Sequence, residues 1–169
     1  MTEMTPRFRP LVALEALARH RVAYVLIGGL AATLQGSPLT TGDADICPDL
    51  SPDNLRRLAG ALRDLDARVY ASDSPRGLKF DIAPETLVQA QIWNLITKAG
   101  RLDISWVPSG TQGYADLARD AITYELENVV VPVASLADII RSKEAAGRDR
   151  DRAALPTLRL LLERLEQQT

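Results

Sequence analysis

The run "AYVLIGG" ends in two glycines, and after thirteen intervening residues from Gly29 the run "DADIC" begins at Asp43. Side chains on a strand point alternately to its two faces. Asp43 and Asp45 therefore share one face, and Ala44 and Ile46 share the other, which is the core side. Such a strand needs one packed face and one face that tolerates two carboxylates. Few arrangements of a chain this short provide both.

Two carboxylates side by side repel and raise each other's pKa. A hard divalent cation removes that penalty. Mg²⁺ takes oxygen ligands, and one or two carboxylates together with substrate phosphates commonly hold it. The plainer alternative is a strand end in solvent with two ordinary acids. Gly28 and Gly29 admit close backbone approach where a strand gives way to a helix, and the first N–H groups of a helix suit a phosphate. A tight turn alone would call for the same glycines.

The 169 residues suit one domain with one core, residues 1–169, in which the C-terminal helices of 135–168 pack as part of the whole. Hydrophobic residues make up 46% and charged residues 25%, which excludes a disordered chain. A net charge of −2 gives no bulk attraction to nucleic acid or membrane. Of the 20 basic residues only Lys79, Lys98 and Lys143 are lysine, so each lysine merits inspection. Cys47 is the single cysteine and reads as a small core residue; His20 is the single histidine, which excludes a histidine metal cluster. The start "MTEMTPRFRP" is polar and broken by proline, unlike a secretory leader, and no apolar run spans a bilayer. A cytoplasmic protein with no membrane partner is expected.

Periodicity predicts a helix in "RFRPLVALEALARHRV", ending near His20, and a buried strand over Ala23–Ile27. A short helix in "LAATLQGS" closes at Gly36, and the acidic strand covers Asp43–Cys47. Ser51 as N-cap and Pro52 at the first position open a helix with Leu55, Leu58, Leu62 and Leu65 on one face. "RVYAS" and "LKFDIA" read as short strands, and "PETLVQAQ" as a helical turn. "IWNLIT" and "LDISWV" form a hairpin about Gly100, and "PSGTQGYADLARDA" reads as loop and short helix. In "ENVVVPVAS", Pro132 implies a sheet edge or a strand end. A helix from Ser135 to Gly147 and a final helix with Pro156 at a kink or restart complete the chain.

The glycine pair and the spaced acids together make the chain resemble the nucleotidyltransferase superfamily that includes DNA polymerase β. The match covers "VLIGGLAATLQGSPLTTGDADI". The later pieces "LITKAGRLDISWVPSGTQGYADL" and "VPVASLADIIRSKEAAGRDRD" look like bacterial nucleotidyltransferase-like proteins related to the AbiEii and tRNA-modifying MenT toxins. The resemblance implies an α+β fold, an α/β sandwich whose mixed β-sheet has flanking helices and a C-terminal helical segment. It implies nucleotide binding at Gly28, Gly29, Thr41 and Lys143, with ATP among the candidate nucleotides. It also implies a two-metal Mg²⁺ site, with Mn²⁺ as an alternative ion, on Asp43, Asp45 and a third acid. Asp103 follows "TKAG" as the family's third acidic strand does and is preferred to Asp81. Many relatives carry an arginine where this chain has Leu39.

Two functions follow. One is metal-dependent transfer of NMP from an NTP to an acceptor hydroxyl, catalysed by Asp43, Asp45 and Asp103. The acceptor is open among a tRNA 3′ end, with a cognate antitoxin as partner, a small molecule and a protein hydroxyl. The other is a non-catalytic relative that binds a nucleotide or a partner protein. Arg148, Arg150 and Arg152 alternate with Asp149 and Asp151, either as a self-paired surface or as groups that orient Lys143 or contact phosphate.

Overall fold

The computed structural model describes residues 4–169. An eight-stranded mixed sheet organises all of them, in the order β4-β3-β5-β6-β2-β1-β8-β7. Its strands are β1 (Tyr24–Ile27), β2 (Asp43–Pro48), β3 (Arg68–Ala71), β4 (Ser74–Leu78), β5 (Ile92–Thr97), β6 (Gly100–Ser105), β7 (Ile122–Leu126) and β8 (Val129–Val133). Around it lie α1 (Pro10–Arg19), α2 (Gly28–Leu34), α3 (Pro52–Asp64), α4 (Pro84–Leu87), α5 (Tyr114–Arg119), α6 (Leu136–Ala146) and α7 (Asp149–Gln167).

The acidic strand sits at the centre of this order. β2 runs antiparallel to β1, with Ile27 opposite Asp45, and parallel to β6, with Asp45 opposite Asp103. Alternation holds as expected: Ala44 and Ile46 are fully buried, while Asp43 and Asp45 are only partly covered. Leu58, Leu62 and Leu65 of the α3 stripe are also fully buried. Asn54, 1% exposed, ties α3 to the sheet. Its amide donates to Ala23 O (2.8 Å) and Asp49 O (2.7 Å), and its oxygen accepts from Ala23 N–H (2.6 Å). Three backbone groups are thus satisfied from one side chain, which makes it a structural anchor.

Several local expectations are corrected. Ser51 occupies the N-cap of α3, but its hydroxyl makes no capping bond there. "LKFDIA" contributes only Leu78 to a strand; Asp81 lies in coil, exposed. β7 is an element not anticipated from the sequence, although "ITYEL" alternates apolar and polar residues, and it pairs along its whole length with β8. Of the two readings of Pro132 the strand end holds and the sheet edge does not: it is the next-to-last residue of β8, which lies between β1 and β7. The ladder from β8 to β1 consists of Val133 opposite Leu26, so the proline sits just before that ladder begins and its missing N–H is not needed. α7 runs unbroken through Pro156.

The C-terminal helical pair forms as its caps dictate. Ser135 Oγ accepts from Asp138 N–H (3.1 Å), and Gly147 ends α6 in the left-handed region at φ 62°. α6 packs on α2 and on α7, which places both C-terminal helices beside the face that carries Asp43 and Asp45. Among the described residues, no helix is long and apolar enough to cross a membrane.

Candidate active site

The register that pairs β2 with β6 brings three acids together. One carboxylate oxygen each from Asp43, Asp45 and Asp103 lies within 4.8 Å of the other two. Asp81 is elsewhere: its Oδ2 accepts from Thr86 Oγ1 at 3.3 Å, in the loop that follows β4.

The site is electrostatically strained. Burial foremost, and then the charges of Asp43 and Asp103, push the Asp45 carboxyl up to about 7, against the opposing pull of Lys143 and Arg150. Burial likewise raises Asp103 to about 6; Arg101 opposes that rise and Asp43 adds to it. A divalent cation is the counter-charge that would relieve both. All-oxygen donors on the open face of a strand fit a hard ion such as Mg²⁺.

The two glycines are explained by this cluster. Gly28 has φ +71°, and a Cβ there would stand 2.3 Å from Asp45 Oδ2. A Cβ on Gly29 would stand 3.0 Å from Thr41 Oγ1. Gly28 is therefore held to glycine by its positive φ and its close approach to Asp45, whereas a side chain at Gly29 would require the Thr41 side chain to give by a few tenths of an ångström. Thr41 supports that segment from the other side: its hydroxyl lies 3.1 Å from Asp43 O and 3.2 Å from Asp43 Oδ1, within donating distance of both.

The acids and glycines open onto a cleft of about 1070 Å³, whose far wall is α6 and α7. Lys143 reaches that wall, with its side chain 20% exposed. Lys143 Nζ is 3.5 Å from Asp151 Oδ1. Arg148 donates to the same carboxylate from Nε (2.7 Å), Nη2 (3.3 Å) and its backbone N–H (3.2 Å). Asp151 is 1% exposed, so the alternating Arg/Asp run is not a self-paired surface but a buried anchor under a cationic wall. Burial pushes the Asp151 carboxyl up, but the Arg148 hydrogen bond and charge outweigh it and hold the group below the usual carboxylate range. Asp151 is the residue that the sequence reading missed. Its i,i+3 spacing from Arg148 at a helix start was the available signal.

Leu39, 40% exposed, and Arg150 line this same cleft. Arg101 Nη2 lies 3.4 Å from Asp103 Oδ1, and its guanidinium stacks 4.0 Å from the centre of the Tyr70 ring.

No protein-family model and no curated protein sequence matches the chain. Solved structures do. Over 90% of this chain and 95% of the other, the fold is similar to that of the lincosamide antibiotic adenylyltransferase LnuA bound to lincomycin, at 14% identity and a TM-score of 0.60. Over 94% of this chain and 97% of the other, it is similar to a candidate nucleotidyltransferase of Thermotoga maritima, at 20% identity and a TM-score of 0.54. At these identities the likeness is one of fold: the chain has the nucleotidyltransferase fold.

Proposed function

We propose that the protein is a metal-dependent nucleotidyltransferase that moves NMP from an NTP to an acceptor hydroxyl. The observation that carries this reading is the convergence of Asp43, Asp45 and Asp103, with oxygens within 4.8 Å, opposite a lysine and arginines across one cleft. Asp43, Asp45 and Asp103 would hold Mg²⁺ or Mn²⁺; when bound, such ions neutralise charge on the reacting phosphate and on the oxygens that enter and leave it.

The chain's own groups do the rest. Gly28 and Gly29 keep the strand end open beside Asp45, and Thr41 fixes the Asp43 carboxylate. Lys143 faces the nucleotide's phosphates, held by Asp151, and Arg148 shares that anchor. Arg150 acts on Asp45 across the cleft and lies in the same cleft as Leu39. The presence of all three acids in one cluster favours the catalytic reading over a non-catalytic nucleotide or partner binder.

Within this class, a tRNA 3′ end and a cognate antitoxin rest on the resemblance to the AbiEii and MenT toxins. A small-molecule acceptor is supported by the likeness to LnuA, which was solved with a small molecule bound. A cytoplasmic setting, where NTP and Mg²⁺ are available, suits either. The test is incubation with each α-labelled NTP and Mg²⁺ in the presence of lincomycin, of a CCA-ended RNA or of neither. Label transfer that disappears in Asp43→Asn is expected. Absence of both Mg·NTP binding and label transfer with every NTP would end the proposal.

A further inference from the structure

The open face does not stop at the triad. The sheet continues outward through β6, β5 and β3. Asn94 stands opposite Asp103 and Ile92 opposite Ser105. Ile96 pairs with both Arg101 and Arg68, and Tyr70 is two residues beyond Arg68. Alternation places Ile92, Asn94 and Arg101 on the same face as the three acids, and although β3 is irregular between Val69 and Ala71, the stacking of Arg101 on the Tyr70 ring at 4.0 Å puts Tyr70 on that face too. Tyr70 is 43% exposed and Ile92 57%.

Displacement at phosphorus puts the entering and leaving oxygens roughly in line, on opposite sides. With the leaving pyrophosphate turned toward Lys143 and Arg148 on α6 and α7, the acceptor must arrive from the other side of the triad. That side is the strip formed by β6, β5 and β3.

We propose that this strip is the acceptor floor, and that it takes a small hydroxyl compound with an apolar face. The proposal rests on the nucleotidyltransferase reading of the triad. Tyr70 and Ile92 offer apolar surface, and Asn94 between them offers one neutral amide. Both arginines of the floor are already engaged. Arg101 is committed to Asp103 and the Tyr70 ring, and Arg68 Nη2 to Asp66 at 3.3 Å. An RNA acceptor calls for free cations that track phosphates and for successive aromatic platforms. The floor has one tyrosine and neither of its arginines is free. In the step itself, the acceptor oxygen bonds to the α-phosphorus and the bond from that phosphorus to the α,β-bridging oxygen breaks. Pyrophosphate leaves with the electron pair, and the hydroxyl proton passes to solvent.

The experiment uses α-labelled NTP with Mg²⁺ and two kinds of acceptor: methyl, phenyl and octyl glucosides, and a CCA-ended RNA minihelix. It compares wild type with Ile92→Asp, Tyr70→Ala and Tyr70→Phe, and measures the Kd of a non-hydrolysable Mg·NTP analogue in parallel. Wild type is expected to label glucosides with a KM that falls as the apolar group grows. Ile92→Asp and Tyr70→Ala should raise the phenyl glucoside KM by about tenfold, the equivalent of one lost apolar contact of ~1.4 kcal/mol. Tyr70→Phe, which keeps the ring, should preserve it, and analogue Kd should stay within about twofold throughout. Labelling of RNA in preference to every glucoside overturns the proposal. So does turnover with no small acceptor labelled, or an unchanged KM in Ile92→Asp and Tyr70→Ala. A wild type that binds no Mg·NTP and transfers no label defeats the nucleotidyltransferase reading instead.

Discussion

Replacing Asp45 by asparagine should stabilise the protein when no divalent ion is present. The carboxyl is raised from 3.8 to about 7, chiefly by burial and then by Asp43 and Asp103. A carboxyl raised in the folded state holds its proton more tightly there than in the unfolded chain. Below pH ~4 both states are protonated and no penalty exists. As pH rises from about 4 to about 7, the unfolded chain releases its proton first and the folded state loses stability. Above about 7 the penalty is complete. Three pKa units at 1.36 kcal/mol each give about 4 kcal/mol as the ceiling. Water entry and local relaxation reduce it, so about 2 kcal/mol is expected to be realised.

Asparagine keeps the shape and never ionises. The upward causes that act on Asp103, burial and Asp43, both survive the change. Thermal unfolding in EDTA should therefore show variant and wild type close together near pH 4.5. By pH 8 the variant should lead by about 4–8 °C, given roughly 2–4 °C per kcal/mol for a domain of this size. Excess Mg²⁺ should reverse the order, because ligand binding to the folded state adds RT ln(1 + [L]/Kd) to the wild type and little to the variant. A variant that melts at or below the wild-type temperature at pH 8 in EDTA would refute the strained-triad argument. So would a lead that does not grow with pH.

Lys143→Ala should weaken Mg·NTP binding by about tenfold or more while leaving the Mn²⁺ affinity of the triad nearly unchanged, because the charge removed faces phosphate and ligates nothing; titration calorimetry separates the two. Asp103→Asn should lower turnover by at least about a hundredfold, and Asp81→Asn by less than about twofold, since only the first shares the carboxylate cluster; steady-state rates of label transfer decide it. Asp151→Asn should cost about 3 kcal/mol in urea unfolding, because it leaves Arg148 and Lys143 without their buried counter-charge. The same variant should weaken NTP binding by loosening Lys143, and equal stability in it would remove Asp151 from the role of anchor.

The parts of the fold legible in sequence are those whose signal is local. α3 and α6 follow from their apolar stripes and from terminal residues such as Pro52, Ser135 and Gly147, and β5–β6 from two apolar runs about Gly100. β7 is a strand missing from the sequence expectations although it carries a local signal: in "ITYEL" Ile122, Tyr124 and Leu126 alternate with Thr123 and Glu125, and Tyr124 and Leu126 pack on the core while the strand pairs with β8. Asp81 and Asp103 illustrate the limit of local signals. Each lies in a short segment with apolar neighbours, and composition alone cannot tell a strand from the coil that follows one. What separates them is a long-range fact: β6 pairs in parallel with β2 and aligns Asp103 with Asp45, 58 residues earlier in the chain.

Asp151 shows the converse. Its neighbours Asp149, Arg150 and Arg152 are exposed and look like a solvated helix start, and periodicity offered no reason to single it out. Burial does. A carboxylate at 1% exposure must be paired or it neutralises. Its partners are Arg148 within its own turn and Lys143 eight residues back, on another helix. That pairing ties α6 to the first turn of α7 beside the cleft onto which the triad opens. The cationic wall of the cleft and the packing of the C-terminal helices are thus one structural element. A substitution at Asp151 should accordingly change nucleotide affinity and stability together, whereas one at Lys143, whose side chain is 20% exposed and whose loss leaves Arg148 on the buried carboxylate, should change nucleotide affinity with little effect on stability.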